Sequence, residues 1–150
     1  MVVNKIFLGA PFIDYINPET GMLYEDKKNM LVRLIDYFVN KGFVVENSHL
    51  REEWGRTWMP SEVCTPLDYE HIKGADVFVA IPGNPPSGGA HIELGWASSL
   101  NKRIILLLEK DKNYSNLVLG LNKITSVDYV WYKSLDECIQ KLDRLIWHKK

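Results

Sequence analysis

At 150 residues and 46% hydrophobic content, the chain has the size and composition of one domain with a real core. A formal net charge of −1 and a pI near 6.4 provide no bulk field for a nucleic-acid polymer or an anionic membrane, although a small phosphorylated ligand needs only local donors. Cys64 and Cys138 suit neither a zinc spacing nor a disulfide framework, no apolar run reaches membrane-spanning length, and the opening MVVNKIFLGAPF is broken too early for a secretory signal, so a cytoplasmic location is expected.

KIFLG (5–9) reads as a buried strand. The run 25–42 reads as a helix, with Leu31, Leu34, Ile35, Phe38 and Val39 at three- and four-residue spacing and Gly42 as its stop. FVVE (43–46) is a second strand. DVFVAI (76–81) and RIILLL (103–108) are continuous apolar strands of the kind buried on both faces of a parallel sheet. A helix from Ala90 to Leu100 separates them. VDYVWY (127–132) is a last strand, and residues 134–147 a last helix capped by Ser134. The alternation predicts a single α/β domain: an open, doubly wound, mainly parallel five-stranded sheet, Rossmann- or flavodoxin-like, flanked by helices. Residues 16–23 and 48–64 do not follow the alternation. Both follow strands, at the carboxyl end of the sheet where such folds bind ligands.

The stretch NPPSGGAHIELGWA (84–97) is a glycine-rich loop running into a helix. Unpaired backbone N–H groups and the helix dipole make PSGGAH either an anion cradle, with Ser87 as an added donor beside Gly88 and Gly89, or simply a turn. It has no P-loop lysine and no dinucleotide-binding spacing. Glu93 follows closely. An acidic residue in a helix's first turn is favoured by the dipole, and a carboxylate there is also suited to attack an electron-poor carbon such as the anomeric carbon of a sugar. Asp68 lies in TPLDYEHIKGAD, where Thr65 reads as an N-cap, Pro66 as the first helical residue and Asp68 as the third position of a capping box. Helix-end hydrogen bonds would lower its pKa, whereas a nearby like charge would raise it.

IFLGAPF, LDYEHIKGADVFVAI, SGGAHIELGWA and NKRIILLL, in that order, resemble the nucleoside 2-deoxyribosyltransferase superfamily. Within it the likeness is to nucleotide N-glycosidases of the 2'-deoxynucleoside 5'-phosphate N-hydrolase and CMP hydrolase type. It covers residues 5 to 145 and is strongest from Leu67 to Leu108. The resemblance implies that Glu93 is the nucleophile attacking C1' and that Asp68 is the acid assisting departure of the base. It implies that Ser87, six positions before Glu93, marks the branch that requires a phosphate. Deoxyribosyltransferases carry an aspartate there, which would repel a 5'-phosphate. Ser115 matches a second phosphate-contacting serine supplied by a neighbouring subunit, and equally reads as a helix N-cap. Gly9 and Phe12 fall on the segment bordering sugar and base; Phe12 reads equally as core. Asp14 and Tyr15 are further contacts to consider. His91 is unexpected before the nucleophile, and solvent is its expected surrounding. Arg51, Glu52, Arg56 and Trp58 fit base selection or a solvated loop, and stand outside the candidate site.

The implied reaction is hydrolysis of the N-glycosidic bond of a nucleoside 5'-monophosphate through a glycosyl-Glu93 intermediate. It parallels retaining glycosidases, with Glu93 ionised and Asp68 protonated. The alternatives are a nucleoside 2'-deoxyribosyltransferase exchanging bases on unphosphorylated deoxynucleosides, and a nucleotide-binding module without turnover. No metal or organic cofactor is implied. The expected partners are a small nucleotide or nucleoside and a second copy of the chain, in a homodimer with shared active sites.

Overall fold

The computed structural model describes residues 4–145 and 147. In chain order the elements are β1 (Lys5–Gly9), α1 (Glu25–Asn40), β2 (Val44–Glu46), α2 (Ser48–Arg51), α3 (Ser61–Gly74), β3 (Val77–Ala80), α4 (Gly88–Ser99), β4 (Arg103–Glu109), α5 (Asn116–Leu119), β5 (Val127–Tyr132) and α6 (Leu135–Asp143). The five strands form one sheet in the order β2-β1-β3-β4-β5, and every neighbouring pair is parallel. This is the flavodoxin-like order, whose switch point lies where β1 meets β3.

The continuous apolar strands are buried on both faces because side chains alternate across a sheet. Ile6, Leu8, Val77, Val79, Ile105 and Leu107 point to one side, where α1 contributes Leu31, Leu34, Ile35 and Phe38, and α6 contributes Cys138 and Leu142. Phe7, Phe78, Ala80, Ile104, Leu106 and Leu108 point to the other, against Ile72 of α3 and Leu94 and Ala97 of α4. Phe7 and Phe78 are register partners and their rings stack at 5.8 Å. Full burial of side chains of this size contributes roughly 1.5–3 kcal/mol each. Val39, expected on the core stripe of α1, is exposed; the stripe ends at Phe38. Gly42 ends that helix at φ +93°. Ser134 caps α6 by accepting from Glu137 N, but the helix stops at Asp143, and residue 146 of the expected span lies outside the described residues.

Two expectations are corrected. Helix α3 begins at Ser61 after Pro60, so Thr65 is no cap and Pro66 lies inside the helix. Asp68 therefore sits mid-helix, without the hydrogen bonds of a helix end. The second concerns 48–64, which carries α2 and a turn at Glu53–Gly55. That turn packs on the other unassigned stretch: Leu23 N donates to Trp54 O at 3.2 Å, and a Cβ at Gly55 would clash with the Gly21 carbonyl oxygen. The two irregular segments thus support each other above the carboxyl ends of β1 and β2.

Candidate active site

Beyond the switch point, a cavity of about 490 Å³ opens between the end of β1, α2, α3 and the start of α4. Asn47 organises its first wall. Its Oδ1 accepts from Leu50 N at 2.9 Å, capping α2, while its Nδ2 donates to the Leu8 carbonyl at 2.9 Å. One buried side chain therefore ties α2 to β1 and aims Ser48, His49 and Arg51 at the site. Asp68 reaches the cavity from α3. Its Oδ1 accepts from Ser48 Oγ at 3.0 Å and from Arg51 Nη1 at 2.5 Å.

Glu93 enters from α4. Because that helix starts at Gly88, two residues earlier than expected, Glu93 lies in its second turn, and the first-turn account of its position does not apply. Part of the side chain meets the cavity, but protein crowds the carboxyl on its other sides. Burial, and next the charge of Asp68, push Glu93 up to about 8, against an opposing pull from Arg51. Burial thus favours a proton on Glu93, whereas an ionised Glu93 is expected from sequence; Asp68 is ion-paired with Arg51. Gly9 makes room for this carboxyl: a Cβ there would stand 3.4 Å from Glu93 Oε1 and 3.3 Å from Phe78 Cζ.

Gly89 and Ala90 bring the amino end of α4 to the same cavity. Ser87 stands just behind them as the cap of α4; its Oγ accepts from Ala90 N at 3.3 Å, leaving the hydroxyl proton free to donate. A Cβ at Gly88 or Gly89 would meet nothing within 4 Å, so packing does not require glycine at either position. Phe12 lines the opposite side. One ring face is covered by His49 at 4.5 Å and 15°, and Trp58 meets it edge-on at 5.4 Å. His49 is buried, which pushes it down to about 4 although the Phe12 carbonyl opposes this; the ring is neutral at pH 7 and buttresses Phe12.

Glu93, Asp68, Gly9, Phe12 and Gly89 therefore line one cavity, with Ser87 and Gly88 adjoining it. Asp14 is exposed and Tyr15 is core, and neither lines it. Ser115 caps α5, accepting from Leu117 N at 3.2 Å, and faces a second groove formed by α4 and the 115–124 segment. His91 lines that groove as well. It is half-buried, with Nδ1 2.7 Å from the Ser87 carbonyl, rather than turned to solvent. Arg51, Glu52 and Trp58, left outside the candidate site, belong to the cavity or its wall. The signal for them was Asn47, a cap-forming residue directly after a strand. Among the described residues no group of three or more His, Cys, Asp or Glu side chains is placed to hold a metal ion.

Two carboxyl groups, an open helix terminus and an aromatic wall suit the cleavage of a glycosidic bond beside an anionic group. No family model matches the sequence, and no curated protein matches it. Among solved structures, the chain is similar to a CMP N-glycosidase from Clostridium botulinum, BcmB, with 37% identity over 93% of this chain and 98% of that one, at a TM-score of 0.73. This chain belongs to the nucleotide N-glycosidase family. It is also similar to BlsM, with 43% identity over 94% of this chain and 88% of that one, at a TM-score of 0.82. A flavodoxin-like domain from Synechococcus, 18% identical over 93% of this chain and 99% of that one at a TM-score of 0.51, bears on the fold alone. Membership makes the chain a glycosidase-type enzyme whose substrate is a small nucleotide. Among the described residues no helix is long and apolar enough to cross a membrane.

Proposed function

We propose that the chain hydrolyses the N-glycosidic bond of a nucleoside 5'-monophosphate, CMP or a deoxynucleotide, releasing free base and the sugar 5-phosphate. The observation that carries this reading is the meeting of Asp68 and Glu93, from separate helices, in one cavity that also receives the open turn at Gly89. The phosphate sits on the α4 terminus with Ser87 as an added donor, and the sugar lies over Gly9.

Glu93 attacks C1' while its proton passes, by way of Asp68, to the departing base. Water then attacks C1' of the glycosyl ester, leaving hydroxyl on the sugar and returning a proton to the pair. One proton shared by two carboxyl groups serves both steps.

Ser115 completes the phosphate site from a second copy of the chain. Its place on a separate groove supports this, as do exposed Leu117 and Ile124 on the 115–124 segment. Light scattering should give a dimer, and Leu117→Glu should weaken both dimerisation and activity; a fully active monomer would contradict the shared site.

Base release from CMP, dCMP, dGMP and their nucleosides, with and without an acceptor base, tests the reaction. Release from nucleotides without exchange is expected. Preference for free nucleosides with base exchange would make the chain a deoxyribosyltransferase, and tight binding without release a sensor.

A further inference from the structure

Arg51 grips two carboxylates on different segments. Besides its bond to Asp68, its Nη2 donates to Glu52 Oε2 at 3.3 Å. The three side chains are 15%, 16% and 4% exposed in the order Arg51, Asp68, Glu52. Glu52 Oε1 in turn accepts from Met59 N at 2.8 Å. A continuous chain of contacts therefore runs from the acid on α3, through the guanidinium, to the segment presenting Trp58 and Met59 to the cavity.

The backbone beside this chain is contorted. Glu53 and Trp54, with φ of +52° and +61°, stand in the left-handed region and are followed by Gly55 at +105°. Non-glycine residues persist there only where their surroundings over-determine them. Here the Gly21 carbonyl against Gly55 does so from outside and the Arg51–Glu52–Met59 contacts from inside. Lysine would not replace this arrangement, since a single ammonium lacks the planar fork that spans two carboxylates.

We propose that Arg51 is a positioning residue for the glycosidase reaction, fixing the Asp68 carboxylate beside Glu93 and coupling it to the wall that covers the base. The proposal rests on the reading of Asp68 and Glu93 as the reacting pair. Asp68 is faced by Ser48 and Arg51 of α2 and by Glu93 of α4. Glu93 is faced by Asp68, by Arg51 and by the Gly9 backbone, while Glu52, His49 and Cys64 line the same cavity. Arg51 is the cation of this group that pulls against retention of the proton on Glu93.

The test compares full-length wild type with Arg51→Ala and Arg51→Lys for base release across pH. For wild type, kcat/KM should fall above about pH 8 as the pair loses its shared proton. Arg51→Ala should lower kcat on the order of a hundredfold, with a smaller change in KM, and move the alkaline limb upward. Added guanidinium should restore part of the rate and return the limb toward its wild-type position. Arg51→Lys, keeping the charge but not the fork, should hold the limb near wild type while kcat stays low. A lowered kcat with an unmoved limb and no response to guanidinium would reduce Arg51 to a fold-stabilising residue and overturn the proposal. So would wild-type kinetics in both variants. If wild type releases no base from any nucleotide, the proposed function fails instead. The Arg51 proposal is then read from stability: the pH at which the advantage of Glu93→Gln over its parent stops growing, set by the folded state of Glu93, should be higher in the Arg51→Ala background, and an unchanged pH overturns it.

Discussion

Asn47 joins a helix cap to a strand end, accepting from Leu50 N and donating to the Leu8 carbonyl, both at 2.9 Å. The side chain is buried, so its truncation removes the cap and leaves the Leu8 carbonyl without that donor. A lost cap costs about 1 kcal/mol and a buried unsatisfied group about 1–3 kcal/mol. Asn47→Ala should therefore lower the unfolding free energy by roughly 2–4 kcal/mol in urea titration. Asn47→Asp keeps the capping acceptor but turns a carboxylate oxygen, which cannot donate, against the buried Leu8 carbonyl, so at neutral pH it should lose at least as much.

Glu93 gives stability a pH dependence of defined sign. Its folded pKa is raised from 4.5 to about 8, so the native state holds a proton that the unfolded chain gives up. The resulting contribution is fully present below pH 4.5 and is lost as pH rises through about 8. Glu93→Gln stays neutral and should match wild type in acid and exceed it at pH 9, by a margin on the order of 4 kcal/mol. Base release should vanish in the same variant while nucleotide binding, read by calorimetry, is retained.

Gly9 faces Glu93 closely enough that a methyl group intrudes. Gly9→Ala would place Cβ 3.4 Å from Glu93 Oε1 and 3.3 Å from Phe78 Cζ. The flexible carboxylate should yield before the packed ring does. Expected is a stability change under about 1 kcal/mol with kcat/KM down at least tenfold, since small misplacements of a reacting group are costly. Thermal melts and steady-state kinetics separate the two effects.

Ser87→Asp distinguishes a cap from a phosphate donor. Aspartate caps helices as well as serine does, so the melting temperature should stay close to that of wild type. A second negative charge at the α4 terminus should instead raise KM for nucleoside 5'-monophosphates tenfold or more and leave unphosphorylated nucleosides unaffected. Equal effects on both substrate types would remove Ser87 from the phosphate site.

The sheet was legible because Ile6–Leu8, Val77–Ala80 and Ile104–Leu108 are apolar without interruption, a pattern only two covered faces explain. Asp68 and Glu93 were legible as candidates, but their surroundings were not. Thr65-Pro66 carries a strong local start signal, yet α3 begins a turn earlier at Ser61 and carries Pro66 within it. The proton on Glu93 depends on its burial and on Asp68, which is 25 residues away in the sequence. Arg51 and Glu52 looked like solvated loop charges because neither spacing nor composition reveals that Gly55 folds tightly over Gly21 and turns them inward. Long-range contacts of this kind leave no periodic trace.

Charge is unevenly distributed around the cavity. Glu52, Asp68 and Glu93 gather around Arg51, while the amino end of α4 opens at Gly89 with no acidic residue in its first turn. Under the proposed function, a phosphate monoester turned end for end would press its dianion against the Glu52 and Asp68 carboxylates, whereas the other orientation lays it on backbone amides. In that reading, repulsion at one end and dipoles at the other set which way round a substrate enters, before any contact with the base is made.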